Sequence, residues 1–207
     1  MLKTKYNWMG INTIESKGYV CGYCGHPLAS DKGYSAQEIG YANQYPLITI
    51  CHFCTRPTFF DRETGKQWPG AAFGNEVANV DDDLVEALYN EARACTATSS
   101  YTAAVMCCRK LLMHIAVSLG AEENKKFYFY VDYLADNNYI PPGAKAWVTQ
   151  IKDKGNEANH EIKLMSQDDA EELISFSEML LKVIYEFPAR IRPKGTSTPS
   201  SAPIAGT

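Results

Sequence analysis

Two cysteine pairs, each with two residues between its members, are the residues of this sequence best placed to do chemistry. Cys21 and Cys24 form the first pair, and Cys51 and Cys54 form the second. Two sulfurs at this spacing can bind one metal ion, and four cysteines complete the closed tetrahedral set that a structural Zn²⁺ takes. We therefore expect Zn²⁺ as a structural cofactor, because no coordination position is left open for a substrate. The alternatives are disulfides or unrelated free thiols.

Short apolar segments precede both cysteine pairs, residues 18–20 before the first and 47–50 before the second. A strand followed by a metal-binding turn, repeated once, is the layout of a zinc ribbon, and we assign residues 1–60 to such a small β module. A domain of this size buries little apolar surface, so the metal must supply much of its folding free energy. His26 and His52 lie beside the cysteines and can in principle replace a ligand, but we interpret them as neighbouring groups.

The sequence from residue 80 onward has the periodicity of α-helices. Apolar residues recur at three- and four-residue spacing, with capping residues at the expected ends. The first predicted helix is capped by Asp81 or Asp82 and extends to Cys95, and the second is capped by Ser99 or Ser100 and extends to about Leu119. The others are Phe127 to Tyr139, Ala144 to Lys154, and a helix that Ser166 caps and that continues to Phe187, where Pro188 ends it. We therefore predict an all-α bundle of about five helices over residues 80–188 and a linker over 61–79. The Pro-, Ser- and Thr-rich segment 189–207 is predicted to be a disordered tail.

A second group of polar residues lies between the last two predicted helices, with the pattern Lys-x-x-Gly-Asn-x-x-x-His from Lys152 to His160. Supporting features are Leu88-Tyr89-x-Glu91-Ala92 in the first helix, Arg109 with Leu111-Leu112 in the second, and Glu186-Phe187-Pro188 at the end of the last. Together these residues resemble the signature of the family labelled domain of unknown function 4145. The resemblance covers about residues 80 to 188, and upstream cysteine pairs are a common accompaniment.

This family belongs to the HEPN-like helical bundles, which recur in prokaryotic restriction, toxin–antitoxin and other conflict systems. Active HEPN ribonucleases use an arginine and a histidine, usually in a dimer. His160 matches the histidine, whereas its upstream cation is Lys154 or Lys152, and Asn156 belongs to the same motif. The resemblance implies a histidine that acts on the 2′-hydroxyl or leaving oxygen and a cation that stabilises the phosphate. Lysine lacks the guanidinium fork that suits phosphate, which Arg109 can supply if the fold brings it near.

The same residues also have a structural interpretation. Asn156 can bond the backbone groups left free at the end of the preceding helix. His160 can bridge the turn between helices. Arg109 lies among apolar residues on its helix, so we expect it to be half-buried and to need a carboxylate partner such as Asp153 or Glu157. In that arrangement Arg109 joins two helices and has no catalytic role.

Composition limits the function classes. The chain has 207 residues, a net charge of −4 and seven cysteines. No apolar stretch approaches the ~18 residues needed to span a bilayer, and free thiols beside the two pairs suit a reducing compartment. We expect a cytoplasmic protein without a membrane partner. The expected function is an interaction module of a prokaryotic or phage defence system that docks a protein, RNA or DNA. The alternative is a metal-independent endoribonuclease, and a homodimer is among the expected assemblies.

Overall fold

The computed structural model describes residues 6–36, 46–141, 143, 147, 149–151 and 164–191. Its N-terminal part is a five-stranded antiparallel sheet in which the strands lie side by side in chain order. The strands are β1 (Asn12–Val20), β2 (Pro27–Ser35), β3 (Leu47–Ile50), β4 (Pro57–Phe60) and β5 (Gln67–Trp68). The predicted N-terminal β structure is therefore confirmed, and the cysteine pairs lie in the turns that follow β1 and β3.

The fifth strand lies inside the range that was predicted to be a linker, residues 61–79. Trp68 of β5 pairs with Phe59 of β4, and Gln67 pairs with Phe60. A two-residue strand carries too little periodicity to be recognised in a sequence. The sheet consequently extends past residue 60, where the β module was expected to end.

Besides residues 147 and 149–151, which are also helical, five helices dominate the described chain from residue 83 onward. They are α1 (Asp83–Ala97), α2 (Tyr101–Ser118), α3 (Phe127–Asp136), α4 (Gln167–Leu181) and α5 (Phe187–Ile191), with a π-helical turn (Lys182–Glu186) between α4 and α5. The predicted all-α second part is therefore confirmed. Two predicted caps are also present, because Asp82 accepts the first free N–H groups of α1 and Ser166 forms a capping box with Asp169 at α4. These caps satisfy donors that have no partner inside the helix.

The prediction that Pro188 ends the last helix is wrong, because α5 continues through it to Ile191. The N–H of Phe187 donates to the carbonyl of Lys182, so the hydrogen-bond register changes just before the proline. Pro188 then lies in the first turn of α5.

The core of the helical part surrounds α2, which is buried on most of its circumference. Its wholly buried residues are Ala104, Val105, Cys108, Leu111, Leu112, Ile115 and Ala116. Tyr89 of α1, Leu134 of α3 and Phe176 of α4 belong to the same core and are almost fully buried. A helix that is apolar on most of its circumference is expected at the centre of a bundle.

A strap, defined here as residues 69–79, lies between the sheet and the helices. The guanidinium of Arg93 on α1 donates to two strap carbonyls, at 3.2 and 3.0 Å. The carboxylate of Glu178 on α4 accepts from the backbone and side-chain amides of Asn75, at 2.8 and 3.0 Å. Hydrogen bonds with a charged partner are stronger than neutral ones. The strap is therefore tied firmly to both helices.

Two glycines allow the first cysteine turn, the strap and α1 to approach one another closely. A Cβ on Gly22 would lie 2.3 Å from the carbonyl oxygen of Gly70, and a Cβ on Gly70 would lie 2.7 Å from that of Ala97. The N–H of Gly70 also donates to the carbonyl of Ala97 at 3.1 Å. The sheet and the helices are thus joined through direct backbone contact.

Four of the residues predicted for catalysis, Lys152, Lys154, Asn156 and His160, lie outside the described residues. The predicted tail also lies outside them from residue 192 onward. In the part of the chain that the structure covers, no helix combines the length and the apolar character needed to cross a membrane.

Candidate metal centre

Two six-residue turns carry the four cysteines, and each turn has the same pattern of internal backbone hydrogen bonds. In the first turn, residues 21–26, the N–H of the first residue donates to the carbonyl of the sixth at 3.0 Å, and the N–H of the fifth donates to the carbonyl of the first at 2.8 Å. The second turn, residues 51–56, has the same two bonds at the same two distances. The fifth residue is left-handed in both, with φ of 68° at Gly25 and 58° at Thr55. Glycine adopts this conformation at little cost, but a β-branched residue does not.

Three hydrogen bonds hold Thr55 in this unfavourable conformation. Its hydroxyl donates to the carbonyl of Cys54 at 2.8 Å and accepts the N–H of Tyr6 at 3.0 Å. Its carbonyl accepts the indole N–H of Trp8 at 2.7 Å. The N-terminal segment therefore braces the second turn directly beside two cysteines. Nothing in the cysteine spacing indicates this brace, and the single available signal is a threonine where the first turn has a glycine.

The two turns bring all four cysteine sulfurs into one cluster. The Sγ atoms of Cys21, Cys24, Cys51 and Cys54 lie within 4.8 Å of one another. Two separations across the turns are 3.7 Å, between Cys21 and Cys54, and 3.8 Å, between Cys24 and Cys51. A tetrahedral ion with metal–sulfur bonds of about 2.3 Å holds its sulfurs about 3.8 Å apart. The spacing and the donor atoms therefore fit a metal ion with four thiolate ligands.

The thiols of the cluster differ in the direction in which their surroundings shift the pKa. Burial and the neighbouring sulfurs raise the pKa of the Cys24 thiol to about 12, and burial also raises the pKa of Cys21. Burial acts in the same direction on Cys51, but backbone N–H groups of Cys54 and Phe53 donate to its sulfur and lower its pKa overall. Metal ligands must be deprotonated, so metal binding at this cluster has to release protons.

A third turn, residues 61–66, has no cysteine but shares one of these backbone bonds and the left-handed fifth residue. The N–H of its first residue donates to the carbonyl of its sixth at 3.0 Å, and Gly65 has a φ of 70°. The carboxylate of Asp61 accepts the N–H of Glu63 at 2.9 Å and the hydroxyl of Thr64 at 2.7 Å. The first sulfur of each cysteine pair likewise accepts N–H groups from the residues two and three positions later. The shape of the turn therefore does not depend on sulfur.

The two histidines beside the cysteines contact a phenylalanine ring. The ring centroids of His26 and Phe53 lie 4.5 Å apart in a stacked arrangement, and those of His52 and Phe53 lie 4.4 Å apart. The Nδ1 of His26 also lies 3.0 Å from the carbonyl of Cys24. The group of described residues that can hold a metal contains the four cysteines and neither histidine. The histidines are thus neighbours of the cluster, on its exposed side.

Arg109 is the predicted catalytic residue that lies within the described chain. It is 3% exposed, and its guanidinium lies 4.5 Å from the centroid of the Phe127 ring. Its Nη1 is buried and has no hydrogen-bond partner within the described residues. Burial lowers the pKa of this guanidinium. The pairing with Asp153 or Glu157, which lie outside those residues, stays a prediction, as does an approach to His160.

A protein-family model matches the helical part of the chain. The family is described as Domain of unknown function (DUF4145), and the match covers residues 90–196, a little more than half of the 207 residues. The matched range begins inside α1, so the cysteine turns precede it. No curated protein and no solved structure matches the chain.

Proposed function

This chain belongs to the family of domain of unknown function 4145, and from that membership we propose that it is an interaction module of a prokaryotic or phage defence system. An N-terminal zinc ribbon and a HEPN-like helical bundle would together dock a protein or nucleic-acid partner. The proposal places the chain in the cytoplasm, as a homodimer and without a membrane partner. The reducing conditions of the cytoplasm keep thiols free to bind metal.

The observation that supports the proposal most directly is the spacing of the four cysteine sulfurs. Their separations of 3.7 and 3.8 Å match the edges of a tetrahedron around a zinc ion. Four sulfur ligands fill the coordination shell and leave no position for a substrate. When bound, the ion would supply a link between the two cysteine turns and no chemistry. A linking role suits a module that has to present a stable surface to a partner.

A second candidate function is a metal-independent endoribonuclease that uses His160 with Lys152, Lys154 or Arg109. One observation favours it, namely that the buried Nη1 of Arg109 has no hydrogen-bond partner among the described residues. Burial of the same side chain argues against it, because an arginine that is 3% exposed does not reach a phosphate of RNA in solution. We therefore prefer the interaction module.

Metal analysis and an RNA cleavage assay on the full chain test the proposal together. We expect one zinc per chain by elemental analysis, none in Cys51→Ser, and an unchanged content in Cys107→Ser, whose half-buried thiol lies outside the cluster. Tetrahedral sulfur sites also suit iron. One iron per chain, visible as a coloured protein, would contradict the zinc assignment.

The cleavage assay uses the zinc-loaded chain without added divalent metal, with His160→Ala as the comparison. We expect no cleavage by either protein. Cleavage by the native chain that disappears in a folded His160→Ala variant would overturn the interaction module in favour of the ribonuclease.

A further inference from the structure

One face of the sheet carries a row of apolar side chains that crosses four strands. Tyr34 of β2 pairs with Ile48 of β3, Ile48 pairs with Phe59 of β4, and Phe59 pairs with Trp68 of β5. Residues that lie directly opposite each other in an antiparallel sheet point to the same face. The four side chains therefore form one continuous line across the strands, which we call the aromatic row.

Three of the four side chains in the aromatic row are exposed and Tyr34 is half-buried, although residues of these types are usually found in a core. Ile48, Phe59 and Trp68 are 37%, 40% and 42% exposed. The rings of Phe59 and Trp68 lie 6.1 Å apart, and the Tyr34 ring lies 6.4 Å from that of Trp8, which continues the row beyond the sheet. The solvent face of an antiparallel sheet is normally polar. A contiguous apolar surface of this kind marks a binding site.

The charge of the chain is divided so that the part with the aromatic row is cationic. Residues 1–68 carry seven Lys or Arg against five Asp or Glu, a net charge of +2. Residues 69–207 carry thirteen Lys or Arg against nineteen Asp or Glu, a net charge of −6. Two exposed lysines also flank the row, Lys32 two residues before Tyr34 and Lys66 two residues before Trp68. A polyanion is therefore attracted to the sheet and repelled from the helical part.

We propose that the aromatic row is a stacking platform for single-stranded nucleic acid, an inference that rests on the interaction function proposed above and names its partner. Bases stack on aromatic rings regardless of sequence, and cations beside the rings bind the phosphates. Neighbouring strands lie about 4.8 Å apart, so rings on adjacent strands can receive successive bases, as they do in other sheets that bind RNA. A protein partner would also use aromatic residues, but the cationic charge and the flanking lysines favour the nucleic acid.

Fluorescence anisotropy of labelled oligonucleotides tests the proposal with the full, zinc-loaded chain. The probes are single-stranded oligo-dT and oligo-U of about 12 nucleotides, within the range of site sizes known for such surfaces, at about 50 mM salt, where phosphate contacts are strong. Phe59→Ala and Trp68→Ala should each weaken binding by roughly 5- to 150-fold, the effect of losing one stacked base. Lys66→Ala should weaken it less and reduce the dependence on salt. Trp68→Phe, which retains a ring, should restore most of the affinity.

Tyr128→Ala is the matched control, because this tyrosine is 41% exposed on α3 and belongs to the negatively charged part of the chain. Its affinity should equal that of the native chain. Equal weakening by Tyr128→Ala and Phe59→Ala, or failure of the native chain to bind either probe, would overturn the proposal. A dimer that dissociates in Phe59→Ala would overturn it too, because the row would then be covered by a second copy.

Zinc content is measured in every sample. A chain with one zinc and no oligonucleotide binding refutes the platform alone, whereas a chain without zinc refutes the proposed function.

Discussion

Loss of the metal should unfold the sheet and leave the helical bundle folded. The perturbation is Cys51→Ser, which removes a fully buried cysteine of the proposed zinc site. The buried apolar side chains of the sheet besides cysteine are Leu28, Leu47, Ile50 and Phe60, and at about 1.5–3 kcal/mol each they contribute about 6–12 kcal/mol. A structural zinc ion contributes about 10–16 kcal/mol in small zinc-binding peptides. The proposed zinc ion would therefore stabilise the sheet by an amount comparable to or larger than that of its apolar core.

Tryptophan fluorescence can follow the sheet separately from the helices. Trp8 donates its indole N–H to the second cysteine turn, whereas Trp147 packs edge-on against Phe176 in the bundle. In a Trp147→Phe background the remaining emission reports on the N-terminal part. We expect Cys51→Ser to show the red-shifted emission of an exposed indole before any denaturant is added. Far-UV circular dichroism should show that the helices persist and unfold near their native midpoint.

Two controls make this prediction decisive. Cys107→Ser should leave both signals unchanged, because that thiol is on α2 and outside the cluster. Treatment of the native chain with a strong chelator should reproduce the Cys51→Ser result. If Cys51→Ser binds no metal and still keeps the native emission and a cooperative sheet transition, the ion does not hold the sheet together and the reasoning is refuted.

Three further predictions concern the contacts between the parts of the molecule. Gly22→Ala should lower the free energy of unfolding by about 1–3 kcal/mol, because the new Cβ would lie 2.3 Å from the Gly70 carbonyl oxygen. Urea denaturation measures this loss. The control is Gly18→Ala, since nothing lies within 4 Å of a Cβ at that position. Glu178→Gln should cost about 1–2 kcal/mol at neutral pH and less in acid. Burial would raise the pKa of this carboxyl, but hydrogen bonds from a lysine and the strap amides outweigh burial and lower the pKa. A carboxyl with a lowered pKa stabilises the fold at a pH above its unfolded pKa. That stabilisation is lost as the pH falls through the pKa of the folded state. An equal cost in urea at neutral pH and at about pH 3 would contradict this account. Arg109→Met should lower the free energy of unfolding by about 3–5 kcal/mol if Arg109 forms the predicted ion pair with a carboxylate. A loss below about 1 kcal/mol in thermal denaturation would contradict that pairing.

The metal cluster could be predicted from the sequence because its geometry is local. Two residues between the cysteines of a pair suffice to place both sulfurs on one side of a turn. The fold then has only to bring the two cysteine turns together. The caps of α1 and α4 were predictable for the same reason, since Asp82 and Ser166 act on N–H groups two or three residues away. In each case the interaction spans less than one helical turn and leaves a pattern of residue types.

The aromatic row and the strap could not be predicted, because both depend on contacts between distant residues. Phe59 and Trp68 share a face because of the register of β4 with β5, and a slip of one residue would place them on opposite faces. Glu178 bonds Asn75 across 103 residues of sequence. No spacing rule connects such positions, so an exposed apolar side chain and a buried one look the same in the sequence.

The similar turn without cysteine, at residues 61–66, indicates what a bound metal ion would contribute to this sheet. The turn at 61–66 forms with Asp61 and no sulfur, so neither cysteine turn needs the ion to acquire its shape. What the hairpins need is a connection to each other. Backbone pairing between β2 and β3 joins them at three positions, from Gly33–Ser35 to Leu47–Thr49. The four sulfurs form the second junction, in the turns after β1 and β3. A metal ion bound at this site would therefore act as a clamp between the two hairpins, and its loss would remove that junction and leave the sheet to unfold.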